Sequence, residues 1–239
     1  MSSSTKFQPL YAQVYDLLVA RLVSGQWKPA KPLPSEFVLA DELGVSQGTV
    51  RKALNQMESE NLLVRKQGKG TFVAEHTQES SLFRFFRYRE PGGDSVIPET
   101  KVISIRRRDA FNNEIKALAL TDNINVVETI RLRHINGRPA IFEMVLQPLS
   151  IFPDIDKEEN LPNSLYTLYQ EKYGVSIVEV RDELQAVELN KEQANHLAVS
   201  IGSPALMTER SSINIDGRVV EWSQAYCCTE HFVYSVTIR

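Results

Sequence analysis

Two short helical segments follow each other between residues 35 and 60, and the spacing of their ends limits what this part of the chain can fold into. Ser35 follows a proline as an N-cap, and Gly44 ends the first segment. A second N-cap, Ser46, begins the next segment, whose apolar residues keep a helical period. Two short helices joined by a glycine-containing turn are typical of a helix-turn-helix.

A third helix is predicted before this pair. Apolar residues recur every three or four positions from Leu10 to about Val23, and Gly25 marks the end. The stretch 27–34 contains three prolines and is therefore predicted to be an ordered loop or an extended connector.

Residues 62–73 predict a β-hairpin with a basic turn. Asn61 can end the preceding helix in a left-handed conformation, and the hairpin carries Arg65, Lys66 and Lys69 with no acidic residue. A basic hairpin beside a helix-turn-helix suits the phosphate backbone or a narrow groove of DNA. Taken alone, the hairpin is interpreted as an ordinary solvated turn, but the two helices before it favour the DNA interpretation. Its Gly-Lys-Gly-Thr string is not a P-loop, because the upstream glycine is missing.

The charge differs in sign between the two parts of the chain. Residues 1–75 hold nine Lys/Arg and seven Asp/Glu, whereas residues 76–239 hold eighteen and twenty-three. The first part therefore tolerates a polyanion better than the net charge of −3 suggests. No apolar run approaches the roughly 18 residues of a membrane span, and residues 1–6 lack the apolar stretch of a secretory signal. The sequence predicts a cytoplasmic protein with no membrane association.

The first part of the chain closely resembles the DNA-binding domain of GntR-family bacterial transcriptional regulators. The resemblance covers nearly all of residues 9–73 and includes Leu33-Pro34-Ser35-Glu36, Val45-Ser46, Thr49-Val50-Arg51 and Gln67-Gly68-Lys69-Gly70-Thr71-Phe72-Val73. It implies a winged helix-turn-helix that binds a two-fold operator in double-stranded DNA as a homodimer, with the third helix in the major groove. The residues predicted to contact DNA are Ser35, Ser46, Gln47, Thr49, Arg51, Lys52, Lys66, Gly68, Lys69 and Gly70.

The sequence departs from the family pattern at two positions. Phe37 and Gln47 stand where members usually carry arginine. Arginine pairs with guanine or phosphate, whereas glutamine prefers adenine and phenylalanine offers only apolar contact. Arg51 and Lys52 remain as cations on the third helix, so we expect an operator unlike the family's usual one. The favoured interpretation of Phe37 is a core residue, and the alternative is a contact to DNA.

Residues 76–98 are predicted to connect a domain at 1–75 to a domain at 99–239, because the helical period stops and Pro91-Gly92-Gly93-Asp94 signals a turn. The run 83–89 alternates aromatic and basic residues. It favours a strand or helix packed on the second domain, and a nucleic-acid platform is the alternative.

From residue 99 onward, strand and helix patterns alternate, and Asn136-Gly137 and Asp216-Gly217 are strong hairpin signals. The predicted fold class is α+β, with a central antiparallel sheet. The hairpins also match each other. Leu118, Leu120 and Arg131 recur 79 residues later as Leu197, Val199 and Arg210, and Ile135, Gly137 and Arg138 recur 80 residues later as Ile215, Gly217 and Arg218. This indicates a duplicated helix-hairpin unit with one inserted residue, plausibly a bulge, or else generic hairpin chemistry.

This half resembles the effector-binding UTRA domain of the HutC branch of the GntR family. The likeness includes Arg131-Leu132-Arg133 before an Asn-Gly-Arg-Pro turn, Ser164-Leu165-Tyr166 and Val220-Glu221-Trp222-Ser223. It implies a fold similar to chorismate lyase that binds a small metabolite and relays its presence to the DNA-binding domains. By position, the family's ligand residues fall on Arg131, Arg133, Glu143, Ser164, Tyr166, Glu221 and Tyr226. Cys227 and Cys228 stand where members often carry a tyrosine and an arginine.

Strand register separates these candidates. A two-residue turn at Asn136-Gly137 pairs Arg133 with Ala140, so both arginines share one face and Glu143 faces the other unless a bulge intervenes. Two guanidinium groups on one face suit a phosphate or a carboxylate. The alternative is a surface ladder with nearby acids.

These patterns predict a transcriptional regulator, a repressor that a small anionic metabolite releases from its operator, with no cofactor or metal. An enzyme acting on a small organic acid is the alternative, but no Gly-x-Ser-x-Gly motif, histidine metal spacing or nucleophile with an evident base supports it. Adjacent Cys227 and Cys228 suit reduced thiols rather than a disulfide framework or a zinc site. An architectural DNA binder would leave the acidic second half without a purpose.

Overall fold

The computed structural model describes residues 8–29, 31–75, 77–94 and 96–237, and the chain divides into two compact units, 1–75 and 76–239. Residues 1–6, on which the prediction about a secretory signal rests, lie outside the described residues. Within the described residues, no helix is long and apolar enough to cross a membrane.

The first unit consists of three helices and a β-hairpin. Its elements are α1 (Leu10–Val23), α2 (Glu36–Leu43), α3 (Gln47–Ser59), β1 (Leu63–Lys66) and β2 (Gly70–Val73). The hydroxyls of Ser35 and Ser46 accept hydrogen bonds from backbone N–H groups three residues ahead and so cap α2 and α3. Gly44 ends α2 at φ 64°, a left-handed conformation that favours glycine. The predicted helix-turn-helix is confirmed.

The core of this unit lies between α1 and α3. Fully buried Leu18 of α1 belongs to it, with Val50, Ala53, Leu54 and Met57 of α3. The proline-rich connector is ordered, because the N–H of Leu33 donates to the carbonyl of Thr71 at 2.8 Å beside the hairpin.

Phe37 does not belong to this core. Its side chain is 73% exposed, so the favoured interpretation of a core residue is wrong. The helix α2 has only eight residues, and its buried stripe passes through Leu39 and Ala40, which leaves Phe37 off the stripe.

The second unit combines helices with an antiparallel sheet. Its elements are α4 (Gln78–Phe85), β3 (Tyr88–Arg89), β4 (Glu99–Asp109), α5 (Asn112–Ala117), β5 (Asn125–Ile135), β6 (Arg138–Pro148), a 3-10 turn (Ile155–Lys157), α6 (Leu165–Tyr173), β7 (Ile177–Glu188), α7 (Lys191–Leu197), β8 (Pro204–Asn214), β9 (Val219–Cys228) and β10 (Val233–Tyr234). The six-stranded sheet has the strand order β4-β5-β6-β9-β8-β7, and β3 and β10 form a two-stranded ribbon. The predicted α+β class with an antiparallel sheet is confirmed.

The sheet contains two copies of one strand-helix-hairpin unit, β4-α5-β5-β6 and β7-α7-β8-β9. The copies meet where β6 pairs with β9, so an approximate two-fold axis relates them. Each helix is followed by an alanine with positive φ, Ala119 at 49° and Ala198 at 57°. The inserted residue lies in the second turn, where three residues separate Asn214 from Arg218. The predicted duplication is confirmed, but the interpretation of the inserted residue as a bulge is wrong, because the extra residue lengthens the turn.

The first hairpin contains a β-bulge that changes its register. Arg133 pairs with Ile141 and Arg131 pairs with Glu143, because Ala140 is left unpaired near the turn. The predicted partners were one residue away, and the expectation that Glu143 faces the opposite side is wrong. The second hairpin has a register shift at the equivalent place, where Val220 is skipped.

Part of the predicted connector belongs to the second unit. Phe85 of α4 is buried and its ring meets that of Tyr166 edge-on at 5.2 Å, while buried Tyr88 meets Tyr234 at 5.3 Å. These aromatic rings pack on the domain, as the favoured interpretation of residues 83–89 predicts. The side chain of Phe83 lies outside the described residues.

Candidate DNA interface and effector pocket

The N-terminal turn of α3 presents polar groups to solvent. Ser46 and Gln47 are exposed, and the hydroxyls of Ser46 and Thr49 share a hydrogen bond of 2.9 Å. The first N–H groups of a helix carry partial positive charge, so this end of α3 favours an anion such as a DNA phosphate. The exposed residues of α3 form the face that the sequence predicts to meet DNA.

The cations predicted to meet DNA differ in how they are held. Arg51 is 55% exposed, and its Nε donates to Glu36 at 2.8 Å. The Lys52 ammonium lies 3.8 Å from the ring centroid of Tyr11 in α1, and the Lys66 ammonium lies 4.8 Å from a ring in the hairpin. These contacts hold Lys52 and Lys66 against the unit by cation–π attraction.

Lys69 lies at the tip of the hairpin and is exposed. Its neighbours Gly68 and Gly70 have φ of 70° and 109°, which only glycine adopts without strain. The tip therefore combines a close backbone approach with a solvated positive charge, and this combination suits a phosphate contact rather than the reading of a base.

A pocket that opens to solvent lies on one face of the six-stranded sheet. Six of the seven predicted effector residues line it: Arg131, Arg133, Glu143, Ser164, Tyr166 and Glu221. The sequence did not predict several other polar lining residues, which include Ser81, Arg87, Thr208, Arg210 and Ser223.

Two buried arginines converge on one carboxylate in this pocket. Oε2 of Glu143 lies 2.7 Å from Nη2 of Arg131 and 3.0 Å from Nε of Arg133. Burial alone raises the pKa of Glu143, but the two guanidinium groups outweigh burial and hold it at about 2. Burial lowers the pKa of Arg133, although Glu143 opposes this effect. The site thus keeps one more positive than negative charge in this cluster.

Several donors in the pocket have no partner. Nε and Nη1 of Arg131, Nη1 of Arg133 and Oγ of Ser81 are buried and form no hydrogen bond within the described residues. Ser164 and Tyr166, at the N-terminal end of the nine-residue helix α6, line the same pocket. Buried donors without partners are rare in proteins, and an anion with several oxygen atoms would satisfy this set.

Glu221 forms the other side of the pocket floor. Its carboxylate accepts hydrogen bonds from the hydroxyls of Tyr169 at 2.5 Å and Ser212 at 2.9 Å, and Tyr166 bonds to Ser212 at 2.8 Å. Burial raises the pKa of Glu221. This hydroxyl network fixes the aromatic wall and offers hydrogen-bonding atoms to a neutral polar group of a ligand.

Arg210 is a pocket residue that sequence reasoning missed. Two of its nitrogens donate to Asp182, each at 2.6 Å, and Tyr234 also donates to Asp182. The repeat holds the signal that could have found it, because Arg210 matches Arg131 at the offset of 79 residues. Equivalent positions in the two copies face the same side of the sheet.

Tyr226 is not brought together with the other predicted effector residues. It packs beside Leu132 and Phe142 on the opposite face of the sheet, and its hydroxyl donates to Gln224 at 3.0 Å. Glu221 and Tyr226 are five positions apart on one strand, so their side chains point to opposite faces. Alternation along the strand could have shown, from the sequence alone, that Tyr226 does not share a face with Glu221 in the pocket.

Neither the cysteines nor acidic clusters suggest further chemistry. Cys227 is buried, which raises the pKa of its thiol to about 12 and disfavours the reactive thiolate. Across the described ranges, no group of three or more His, Cys, Asp or Glu side chains is placed to hold a metal ion.

A winged helix-turn-helix joined to a sheet domain with an arginine-lined pocket defines a two-domain DNA-binding regulator with a small-molecule site. Family comparisons agree with this class. Residues 10–73 match the model of the bacterial regulatory proteins of the gntR family, and residues 95–233 match the UTRA domain. The chain therefore belongs to the GntR family of transcriptional regulators, in the UTRA-containing HutC branch.

Two of its relatives are named as repressors. The mannosyl-D-glycerate transport/metabolism system repressor MngR of Escherichia coli is 28% identical over 96% of this chain and 95% of its own length. The histidine utilization repressor of Pseudomonas putida is 29% identical over 84% of this chain and 81% of its own length. These names give no support to the enzyme alternative.

Two solved structures share the fold. YydK from Bacillus subtilis has a TM-score of 0.59 at 22% identity and covers 95% of this chain and 99% of its own. PhnF from Mycobacterium smegmatis has a TM-score of 0.57 at 16% identity, over 97% and 99%.

Proposed function

We propose that this regulator is a cytoplasmic, homodimeric repressor that a small anionic metabolite releases from a two-fold operator. The observation that carries the proposal is the group of buried, unpartnered donors on Arg131, Arg133 and Ser81. An anion that enters the pocket gains several charge-assisted hydrogen bonds without displacing any existing one. The relatives' names mention mannosyl-D-glycerate transport/metabolism and histidine utilization, which are two different metabolic systems.

The pocket also touches the segment that follows the DNA-binding unit. Ser81, Leu82 and Phe85 of α4 line the pocket. The first unit ends at residue 75, shortly before α4 begins. A ligand that contacts α4 can favour one arrangement of this segment over another. To act, it must bind the DNA-competent and DNA-incompetent dimers with different affinities, because equal affinity shifts nothing. A change in the distance between the two DNA-binding units of the dimer would prevent both from binding their half-sites, which lie at a fixed distance on the operator.

In the DNA-binding unit, we assign the operator contacts to the predicted set from Ser35 to Gly70. Arg51 and Gln47 are the residues of this set that we expect to read bases, because both are exposed near the start of α3. Lys69 at the hairpin tip is expected to contact phosphate. Lys52 and Lys66 are exposed, and an ammonium that packs over a ring keeps N–H bonds with which it can donate to a phosphate.

The test begins with a thermal-shift screen of phosphorylated sugars, sugar acids, amino-acid breakdown products and small organic acids, since a ligand that binds only the native state raises the unfolding temperature. Calorimetry on Arg133→Ala with the compound found should show binding weaker by about 1.5–3 kcal/mol. Arg138→Ala, an exposed arginine at the hairpin turn, is the matched control and should leave binding unchanged. Operator affinity without ligand should be the same in all three proteins.

Unaltered ligand affinity in Arg133→Ala would place the pocket elsewhere. An Arg133→Ala protein that no longer binds any operator would instead assign the arginine a structural role.

A further inference from the structure

A chain of side-chain contacts links the recognition helix α3 to its neighbours α2 and β1. Glu36 at the start of α2 accepts from Arg51 of α3 at 2.8 Å, and its other oxygen lies 3.5 Å from Nη2 of Arg65 in β1. The same Arg65 nitrogen donates to Oδ1 of Asn55 in α3 at 2.6 Å. Glu58 lies 3.5 Å from Nε of Arg65 on its other side. Two carboxylates therefore hold the guanidinium group of Arg65, which donates a hydrogen bond to Asn55.

Asn55 lies on the side of α3 that faces away from the core. The buried residues of the helix are Val50, Ala53, Leu54 and Met57, and the helical period places Asn55 opposite them, where it is exposed. Gly48 lies two turns earlier on the same side. It has no side chain, and a Cβ built there would meet the Ser46 hydroxyl at 3.9 Å, an ordinary contact, so a partner can approach the helix backbone closely along this face.

The contact with Arg65 decides which atoms of Asn55 remain available. Asparagine usually reads adenine with its oxygen and its nitrogen together. Here Oδ1 is engaged by Arg65. The two N–H bonds of Nδ2 are the donors that the amide offers to a partner.

We propose that Asn55 is a DNA-contacting residue that donates a hydrogen bond to an acceptor on the operator, and that Arg65, itself held by Glu36, positions its amide. The acceptor is a phosphate oxygen or a base-edge acceptor in the major groove. This inference rests on the proposed DNA-binding function of the first unit.

The experiment measures the affinity of the full chain for a duplex recovered by the wild-type protein from a random library, and for a scrambled duplex of the same composition. Asn55→Ala should bind the recovered duplex about tenfold more weakly, the effect of one lost hydrogen-bonding contact at each half-site. Asn55→Asp keeps the acceptor for Arg65 but loses both donors and adds a negative charge, so it should bind still more weakly. Asn113→Ala, the same change at an exposed position of α5 in the second unit, is the matched control.

The two sources of the acceptor give different patterns. A phosphate contact predicts that Asn55→Ala weakens binding to both duplexes by similar factors. A base contact predicts that only binding to the recovered duplex falls, and that a fresh selection with Asn55→Ala loses preference at one base pair of each half-site.

A double-mutant cycle tests the positioning role of Arg65. If Arg65 acts through Asn55, Arg65→Ala and Asn55→Ala together should cost less than the product of their separate factors. A loss of affinity in the double variant equal to the product of the two separate factors would overturn this role.

Full affinity in Asn55→Ala, with a wild-type protein that binds its duplex, would overturn the contact itself. A wild-type chain that binds no duplex would instead refute the proposed DNA-binding function. Alanine is a better helix former than asparagine, so the variant should fold, and its unfolding temperature checks this.

Discussion

Replacing Glu143 with glutamine would test whether one carboxylate holds the buried arginine pair of the pocket together. The pKa of this group lies at about 2 instead of the ordinary 4.5, a difference worth about 3 kcal/mol at 1.36 kcal/mol per pKa unit. Removing one partner of a buried ion pair costs a similar amount, about 3–5 kcal/mol, because the remaining charges stay buried without compensation. We therefore expect Glu143→Gln to lower the free energy of unfolding of the second unit by about 3 kcal/mol.

The pH dependence of stability gives an independent check. The pKa of Glu143 is lower in the folded state, so its contribution is fully present above the unfolded-state pKa and is lost as the pH falls through the folded-state value. Wild-type stability should therefore decline between about pH 4.5 and pH 2 by an amount that the variant does not show. Below this interval, the two proteins should converge.

Urea unfolding followed by tryptophan fluorescence measures this change. In a Trp27→Phe background, Trp222, which is buried in the second unit, is the remaining tryptophan. Glu209→Gln is the matched control, because Glu209 lies on the opposite face of the sheet and accepts a hydrogen bond from Gln224 at 3.2 Å. Equal effects of Glu143→Gln and Glu209→Gln would refute the reasoning. Inorganic phosphate should also stabilise Glu143→Gln more than the wild type, since an anion between the arginines replaces the lost charge.

Four further expectations concern single side chains. Arg51→Ala should weaken specific operator binding by roughly 1–3 kcal/mol in gel shifts, whereas Gln47→Arg should move the preference of a library selection toward guanine at one symmetric position per half-site. Lys69→Ala should reduce the slope of log affinity against log salt by about 1 while it leaves the preferred sequence unchanged. Tyr226→Phe should keep the wild-type affinity for the effector in calorimetry, because Tyr226 faces away from the pocket, and a clear loss would move the site to the other face of the sheet.

The first unit could be predicted in detail because its boundaries depend on local chemistry. Ser35 and Ser46 start their helices through their own hydroxyls, and Gly44 ends α2 through its left-handed conformation. Each signal acts within three or four residues. Phe37 shows the limit of such reasoning, since a helix of two turns offers too few positions for an apolar residue to reveal which side it faces.

The pocket depends on features that no local pattern carries. The bulge at Ala140 adds one unpaired residue and turns Glu143 toward the arginines, and alternation along a strand cannot show such a residue in advance. The contact of Arg65 with Asn55 joins two elements whose approach depends on packing. Arg210 and Tyr226 are different, because the repeat and the strand alternation held the information for both.

The duplication also explains why the unpaired positive charge of the pocket lies on one of the two copies. The copies meet between β6 and β9, and both contribute to the pocket an arginine at equivalent positions, Arg131 and Arg210. Elsewhere the copies differ, because the place of Arg133 is taken by Ser212 and the place of Glu143 by Ser223. Arg210 already has its partner in Asp182, whereas the unpartnered arginine donors lie on β5. A ligand should therefore place its anionic group over β5 and β6 and direct its neutral hydroxyl or amide groups toward Thr208 of β8 and toward Glu221 and Ser223 of β9.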